Sequence, residues 1–171
     1  MTPATRDVRY RERGPEVLAA LVPLVAAVLR EEFDATAEEE ISREAGAAAA
    51  LFDSRRDVCV SAEADGRDVG VLLVVPGGGT PDAAVFTWLA VEGAFRGIGI
   101  GRELVFRGIE ACRERGRHQL RAYAFAVSPA ACRLYWQYGF RVASLDSYPV
   151  GSGARERIVF EKRLDPPAAA G

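Results

Sequence analysis

The sequence predicts a mixed α/β fold, a largely antiparallel central sheet of about seven strands flanked by about four helices. Three observations predict it. Apolar runs with strand character recur along the chain, most clearly over 58–62, 69–75, 85–91 and 120–127. A helical apolar period, through Ile100, Leu104, Val105, Ile109 and Cys112, follows the third of these runs directly. The elements then fall in the order strand, two helices, three strands, helix, strand, helix, two strands, with no internal repeat. The 171 residues are 49% hydrophobic, enough for one core and short for two, so a single domain is expected over 1–165 with a disordered tail over 166–171.

Each element has its own justification. Residues 8–13 alternate weakly before Gly14-Pro15, which suits a first strand and then a helix over 15–30 with proline in its first turn. Asp34-Ala35-Thr36 precedes Glu38, Glu39 and Glu40. Asp34 or Thr36 is therefore placed to cap a second helix whose acidic first turn complements the dipole and whose alanine-rich end reaches Leu51. Asp65-Gly66 between two apolar runs signals a hairpin. Residues 76–81, rich in proline and glycine, form a loop. The strand over 85–91 is expected to carry Phe86, Trp88 and Ala90 on one face and Val85, Thr87, Leu89 and Val91 on the other. The helix over 99–115 stops at Gly116, a C-cap glycine position. After the strand at 120–127, Ser128-Pro129 offers an N-cap and a first-turn proline for a short helix that turns Leu134, Tyr135 and Tyr138 inward and stops at Gly139. Two last strands fall near 140–147 and 157–164.

Composition removes several classes of function. A net charge of −2, from 22 basic and 24 acidic residues, gives no global attraction to nucleic acid or anionic membranes. The longest apolar stretches, 17–29 and 69–75, are interrupted by Pro23 or too short to span a bilayer, and no signal peptide or anchor is visible, so a cytoplasmic protein is expected. Cys59, Cys112 and Cys132 lie within regular elements, where free buried thiols fit better than a disulfide or metal cluster. The one histidine, His118, stands at a strand start and leaves no basis for a His-centred metal site or triad.

The chemistry-bearing feature is the turn Arg96-Gly97-Ile98-Gly99-Ile100-Gly101, which links a strand to a helix start. Unpaired backbone N–H groups at the positive end of a helix dipole attract an anion, and glycines let a diphosphate approach those amides. Arg96 and Arg102 flank the turn with positive charge. A dinucleotide fingerprint is excluded because Arg102 stands where its third glycine belongs. A Walker loop is excluded because no lysine precedes Lys162.

These residues resemble the GNAT superfamily of N-acetyltransferases, whose signature is Gln/Arg-x-x-Gly-x-Gly/Ala after the fourth strand. Arg96 to Gly101 match it at every fixed position. Ala131-Cys132-Arg133-Leu134-Tyr135-Trp136-Gln137-Tyr138-Gly139-Phe140 is similar to the family's Ala-x-x-Leu-Tyr-x-x-x-Gly-Phe block. The likeness covers 58–164. It implies a GNAT-like fold and acetyl-CoA as co-substrate, with no metal. It also implies that the amides and side chains of Arg96, Gly97, Ile98, Gly99, Ile100, Gly101 and Arg102 hold the diphosphate. The strand residues Leu89, Ala90 and Val91 would face pantetheine, with Val91 as its main backbone partner, and Ser128 and Tyr135 would complete the coenzyme site. The sequence departs from the family pattern at Ser128, where asparagine is common, and within Glu92-Gly93-Ala94, where proline is common.

Acetyl transfer to an amine needs a neutral nucleophile, oxyanion stabilisation and a proton for the departing thiolate. By the resemblance, Tyr135 is the general acid. Glu92 is carried as a candidate base beside Asp82, Glu31, Glu32 and an ordered water. Phe33, Trp88 and Tyr148 either shape an aromatic acceptor pocket or belong to ordinary core. The expected reaction is acetyl transfer from acetyl-CoA to a primary amine of a small molecule or of a protein or peptide. The alternative is a non-catalytic acyl-CoA-binding regulatory module. Neither nucleic acid nor membrane is expected as a partner, and the apolar C-terminal strands are candidates to pair across a homodimer.

Overall fold

The structure, a computed structural model, describes residues 7–33, 38–77, 79–150 and 153–166. The proposed caps Asp34 and Thr36 and residues 167–171 of the tail lie outside them. The elements are β1 (Arg9–Glu12), α1 (Leu18–Phe33), α2 (Glu38–Leu51), β2 (Val58–Ala64), β3 (Arg67–Pro76), β4 (Ala83–Val91), α3 (Ile100–Glu114), β5 (Gln119–Phe125), α4 (Pro129–Gln137), β6 (Arg141–Val150) and β7 (Gly153–Arg163). Single 3₁₀ turns at Pro15–Val17 and Gly93–Phe95 lead into α1 and follow β4. Proline at the head of the first turn suits its fixed φ, as the sequence suggests.

The strands form one seven-stranded sheet in the order β1-β2-β3-β4-β5-β7-β6. Every neighbouring pair is antiparallel except β4 and β5. A parallel pair needs a crossover connection, and here α3 supplies it. One core fills the sheet face covered by α3, where Leu72, Phe86, Leu104, Val105, Tyr135 and Phe160 pack. A second lies against α1 and α2, among Leu18, Leu21, Ile41, Val71, Trp88 and Ala90.

The sequence reading of β4 needs one correction. It put Phe86, Trp88 and Ala90 on one face, yet Phe86 joins the α3 core while Trp88 and Ala90 join the α1–α2 core. The register explains why. Leu73 pairs with Trp88 and the next residue, Val74, pairs with Phe86, so Thr87 has no partner across the ladder. A bulge of one extra residue inverts the in-out alternation beyond it and bends the strand.

Two shorter corrections concern ends. The strand expected over 120–127 stops at Phe125, where the Ser128 amide donates to the Phe125 carbonyl in a turn (2.9 Å). Ser128 sits at the N-cap of α4, but its hydroxyl makes no capping bond.

The buried Arg117 guanidinium ties the loop before β4 to the end of α3 by donating to the Pro81 and Ala83 carbonyls. Cys59 and Cys112 are buried free thiols that burial pushes up to about 12, far from the reactive range. Among the described residues, no helix is long and apolar enough to cross a membrane.

Candidate active site

The site begins where the sheet splits. Strands β4 and β5 pair only from Ala83↔Gln119 to Phe86↔Ala122, although β4 runs on to Val91 and β5 to Phe125. The Thr87 bulge falls directly after the last pair. It turns β4 away from β5, so the β4 edge from Leu89 to Val91 is left without a ladder partner on that side.

On the α3 side, this opening meets the glycine turn. Gly97 and Gly99 have φ of +77° and +94°, left-handed conformations that side chains resist. Gly99 is the N-cap of α3 and carries no capping side chain, so the first amides of the helix stay open to a ligand. Residues 96–99 are exposed to solvent. A cavity of about 840 Å³ is lined by Leu89, Val91, all seven residues from Arg96 to Arg102, and the start of α4 from Val127 to Ala131. The Tyr138 hydroxyl donates to the Arg102 carbonyl (2.9 Å) and so fixes α4 against the turn.

The charges here are arranged differently from the sequence expectation. Arg96 donates from Nε to the Val91 carbonyl (2.9 Å) and pairs with Glu31 (2.8 Å), so its positive charge is largely compensated and the Val91 carbonyl is already engaged. Arg133, which the sequence reading did not single out, lines the cavity with Arg102. Ala90 points the other way, into the α1–α2 core.

Within the split, between the two cores, lies a second chamber of about 210 Å³, walled by α1 and α2, by β4 from Phe86 to Ala90, by β5 from Tyr123 to Phe125, and by Tyr148 and Arg157 of the last two strands. The two cavities share Val28, Leu89, Ser128 and Ala131, so they adjoin through the split. Tyr135 lines the smaller chamber and is only 2% exposed. Its ring is wedged against Phe140 at 5.4 Å, Phe160 at 5.7 Å and Phe86 at 6.4 Å between centroids, which fixes the hydroxyl's direction. Burial raises its pKa, so the phenol stays protonated and able to donate. Ser128 Oγ is buried at the junction of the cavities with no hydrogen-bond partner, although a hydroxyl removed from water normally finds one.

Of the carboxylates proposed as bases, Glu92, Glu31 and Asp82 line neither cavity. Glu92 is clamped by Arg67, with Nη2 donating to Oε1 at 2.8 Å. Glu31 is paired with Arg96. Asp82 stands at the opposite end of β4 and is held below its ordinary pKa by a hydrogen bond with Thr80. The side chains of Glu32 and Phe33 lie outside the described residues. Trp88 and Tyr148 do line the smaller chamber, together with Glu44, whose distance from both in sequence gave no signal of the contact. Among the described residues, no group of three His, Cys, Asp or Glu side chains is placed to hold a metal.

An open helix N-terminus, set beside a split sheet that leads into a small chamber with a buried phenol, can hold an anionic ligand next to a small-molecule pocket, and the family match makes the class an acyltransferase. The chain belongs to the acetyltransferase (GNAT) family, whose model matches residues 24–140. Solved structures share the fold. The protein yncA from Salmonella typhimurium, solved with its cofactor acetyl-CoA, is 18% identical, with 96% of this chain and 98% of that one covered and a TM-score of 0.73. Ribosomal-protein-alanine N-acetyltransferase from Brucella melitensis is 21% identical over 91% of this chain and 99% of that one, with a TM-score of 0.71. The paia N-acetyltransferase from Thermoplasma acidophilum, in complex with coenzyme A, is 16% identical over 92% and 99%, with a TM-score of 0.68. Among curated protein sequences none matches the chain.

Proposed function

We propose that the chain is a single-domain, cytoplasmic N-acetyltransferase that passes the acetyl group of acetyl-CoA to a primary amine by direct attack on the thioester. The observation that carries this reading is the junction of the two cavities; in this reading the larger one takes the coenzyme and the smaller one the acceptor. The coenzyme diphosphate lies over the amides of 97–101, with Arg102 and Arg133 as its nearest cations. Pantetheine runs along Leu89 to Val91 and takes the place of the missing β5 partner. Because the Val91 carbonyl already accepts from Arg96, the remaining backbone groups of this edge, and Leu89 in particular, carry more of that pairing.

The thioester then reaches the junction where Ser128 and Tyr135 stand. The amine nitrogen attacks the carbonyl carbon, the C–S bond breaks and the thiolate takes the Tyr135 proton, while the proton lost by the nitrogen passes through water to solvent, from which the Tyr135 phenolate is reprotonated. An ammonium with pKa of about 10.4 is neutral roughly once in two thousand at pH 7, a barrier of about 4.6 kcal/mol that the site must help to lower.

The test is calorimetric titration with acetyl-CoA beside thiol release in the presence of a panel of primary amines. Saturable binding and amine-dependent release support the proposal. Binding with no release for any amine supports a non-catalytic acyl-CoA-binding module instead, and absence of binding refutes both. Ser128→Ala gives a further expected result. The orphaned Oγ is the natural donor to a pantetheine carbonyl, so its removal should raise the acetyl-CoA Kd about three- to tenfold. Stability by urea unfolding should change by less than about 0.5 kcal/mol, because no protein hydrogen bond is lost.

A further inference from the structure

The carboxylate of Glu44 stands apart from the other acidic groups around the site. It projects from α2 into the smaller chamber and is half-buried there. Both oxygens accept from neutral donors: Oε1 from the Tyr148 hydroxyl at 2.8 Å and Oε2 from Trp88 Nε1 at 3.3 Å. Among the described residues, Glu44 has no arginine or lysine partner, whereas Glu31 and Glu92 each have one. A carboxylate drawn out of water by two hydrogen bonds yet left without a counter-ion is costly unless a cation arrives from outside.

Among the described residues, the chamber's one cationic side chain does not fill that role. Arg157 is directed to Asp146, with Nε at 2.8 Å from Oδ1 and Nη2 at 2.7 Å from Oδ2. Its plane stacks over Tyr123 at 3.8 Å and over Tyr148 at 4.7 Å. Asp146 cancels its charge, so the chamber keeps the negative charge of Glu44. The walls suit a cation as well, since Trp88, Tyr148 and Phe125 line the same chamber, with the rings of Phe125 and Tyr148 T-shaped at 5.9 Å. Aromatic, largely apolar walls beside a carboxylate favour an organic ammonium over a hydrated metal ion. At about 210 Å³ the chamber is smaller than pockets for drug-sized ligands, roughly 300–1,000 Å³, and admits a small amine or the aminoalkyl end of a larger one.

From this juxtaposition we infer that Glu44 is the acceptor-recognition residue, which selects a small, apolar or aromatic primary amine as its ammonium by ion pairing inside the Trp88–Phe125–Tyr148 box. The inference rests on the transferase reading for its biological sense. It assigns the acceptor end, where that reading assigns the coenzyme end. The Tyr148–Glu44 bond is the anchor that aims the carboxylate, and burial together with that bond raises the Tyr148 hydroxyl's pKa, as expected for a phenol that donates to a fixed anion.

The test does not need turnover. Trp88 lines the chamber, while the other tryptophan, Trp136, is 61% exposed on α4, so a Trp136→Phe background isolates the Trp88 fluorescence. In that background, butylamine, 2-phenylethylamine and tyramine are each titrated against the isosteric neutral alcohol. At least one ammonium should perturb Trp88 with about tenfold or greater preference over its alcohol, and Glu44→Gln should abolish that preference. Glu44→Gln keeps an acceptor for one of the two donors and sits half-exposed on a helix, so the fold is retained; circular dichroism checks this. Tyr148→Phe removes the anchor but not the charge, and should lower the preference only several-fold. Equal binding of amines and alcohols, an unchanged preference in Glu44→Gln, or no perturbation of Trp88 by any of the three amines overturns the inference. Calorimetry with acetyl-CoA on the same proteins keeps the two readings separate. Intact coenzyme affinity with no ammonium preference defeats the Glu44 assignment alone, and lost coenzyme affinity in the parent defeats the transferase reading.

Discussion

Tyr135→Phe is expected to lower the rate of acetyl transfer about a hundredfold or more while the acetyl-CoA Kd moves less than about threefold. The reasoning starts from packing. The Tyr135 ring is enclosed by Phe86, Phe140 and Phe160, and phenylalanine keeps all three contacts. Only the hydroxyl at the chamber wall is lost. A proton donor to the leaving thiolate matters in the transition state and little in the ground state, so kcat falls and binding stays. Single-turnover thiol release measures the first quantity and calorimetry the second. Because a poorer leaving group depends more on the acid, the deficit should shrink when the acetyl thioester of coenzyme A is replaced by one with a more acidic thiol. Turnover unchanged in Tyr135→Phe would leave the residue as core alone.

The second large effect is expected at the turn. Gly99→Val should weaken acetyl-CoA binding about a hundredfold and destabilise the fold by about 1–3 kcal/mol. Gly99 has φ of +94° at the N-cap of α3, and a β-branched residue there is strained by about 1–2 kcal/mol or more. No neighbouring atom within 4 Å would meet a Cβ at this position, so the added side chain is not stopped by the protein. It would occupy the cavity where a diphosphate must reach the helix amides. Gly46→Ala is the informative contrast. It also meets open space, but lies mid-helix in α2, away from both cavities, and should leave coenzyme affinity unchanged. Calorimetric titration and urea unfolding of the two variants separate the binding effect from the strain.

Much of the fold was legible because its signals are local. The period from Ile100 to Cys112, the Asp65-Gly66 hairpin and the Pro15 and Pro129 helix starts depend on residues within one or two turns of each other. The faces of β4 were not legible. Alternation from Phe86 to Ala90 reads as one surface, and only pairing with β3 inserts the unpaired Thr87 that turns Trp88 to the other core. The same limit applies to charge. Arg96 looks like a phosphate ligand in the sequence, but α1 brings Glu31 onto it, while Arg133 enters the cavity from α4 with no mark in its neighbours.

Sequence alone therefore determined the order of elements, the glycine turn at a helix start and the tyrosine five residues before the end of the matched Ala131–Phe140 block, because each is written in short-range spacing and backbone preference. Tertiary structure decided where the sheet opens, which charges are already paired, and that Glu44 of α2 meets Trp88 of β4 and Tyr148 of β6 in one chamber. Those contacts join residues as far as 104 positions apart, and which of them form depends on strand register and helix placement, quantities fixed only when the whole core packs.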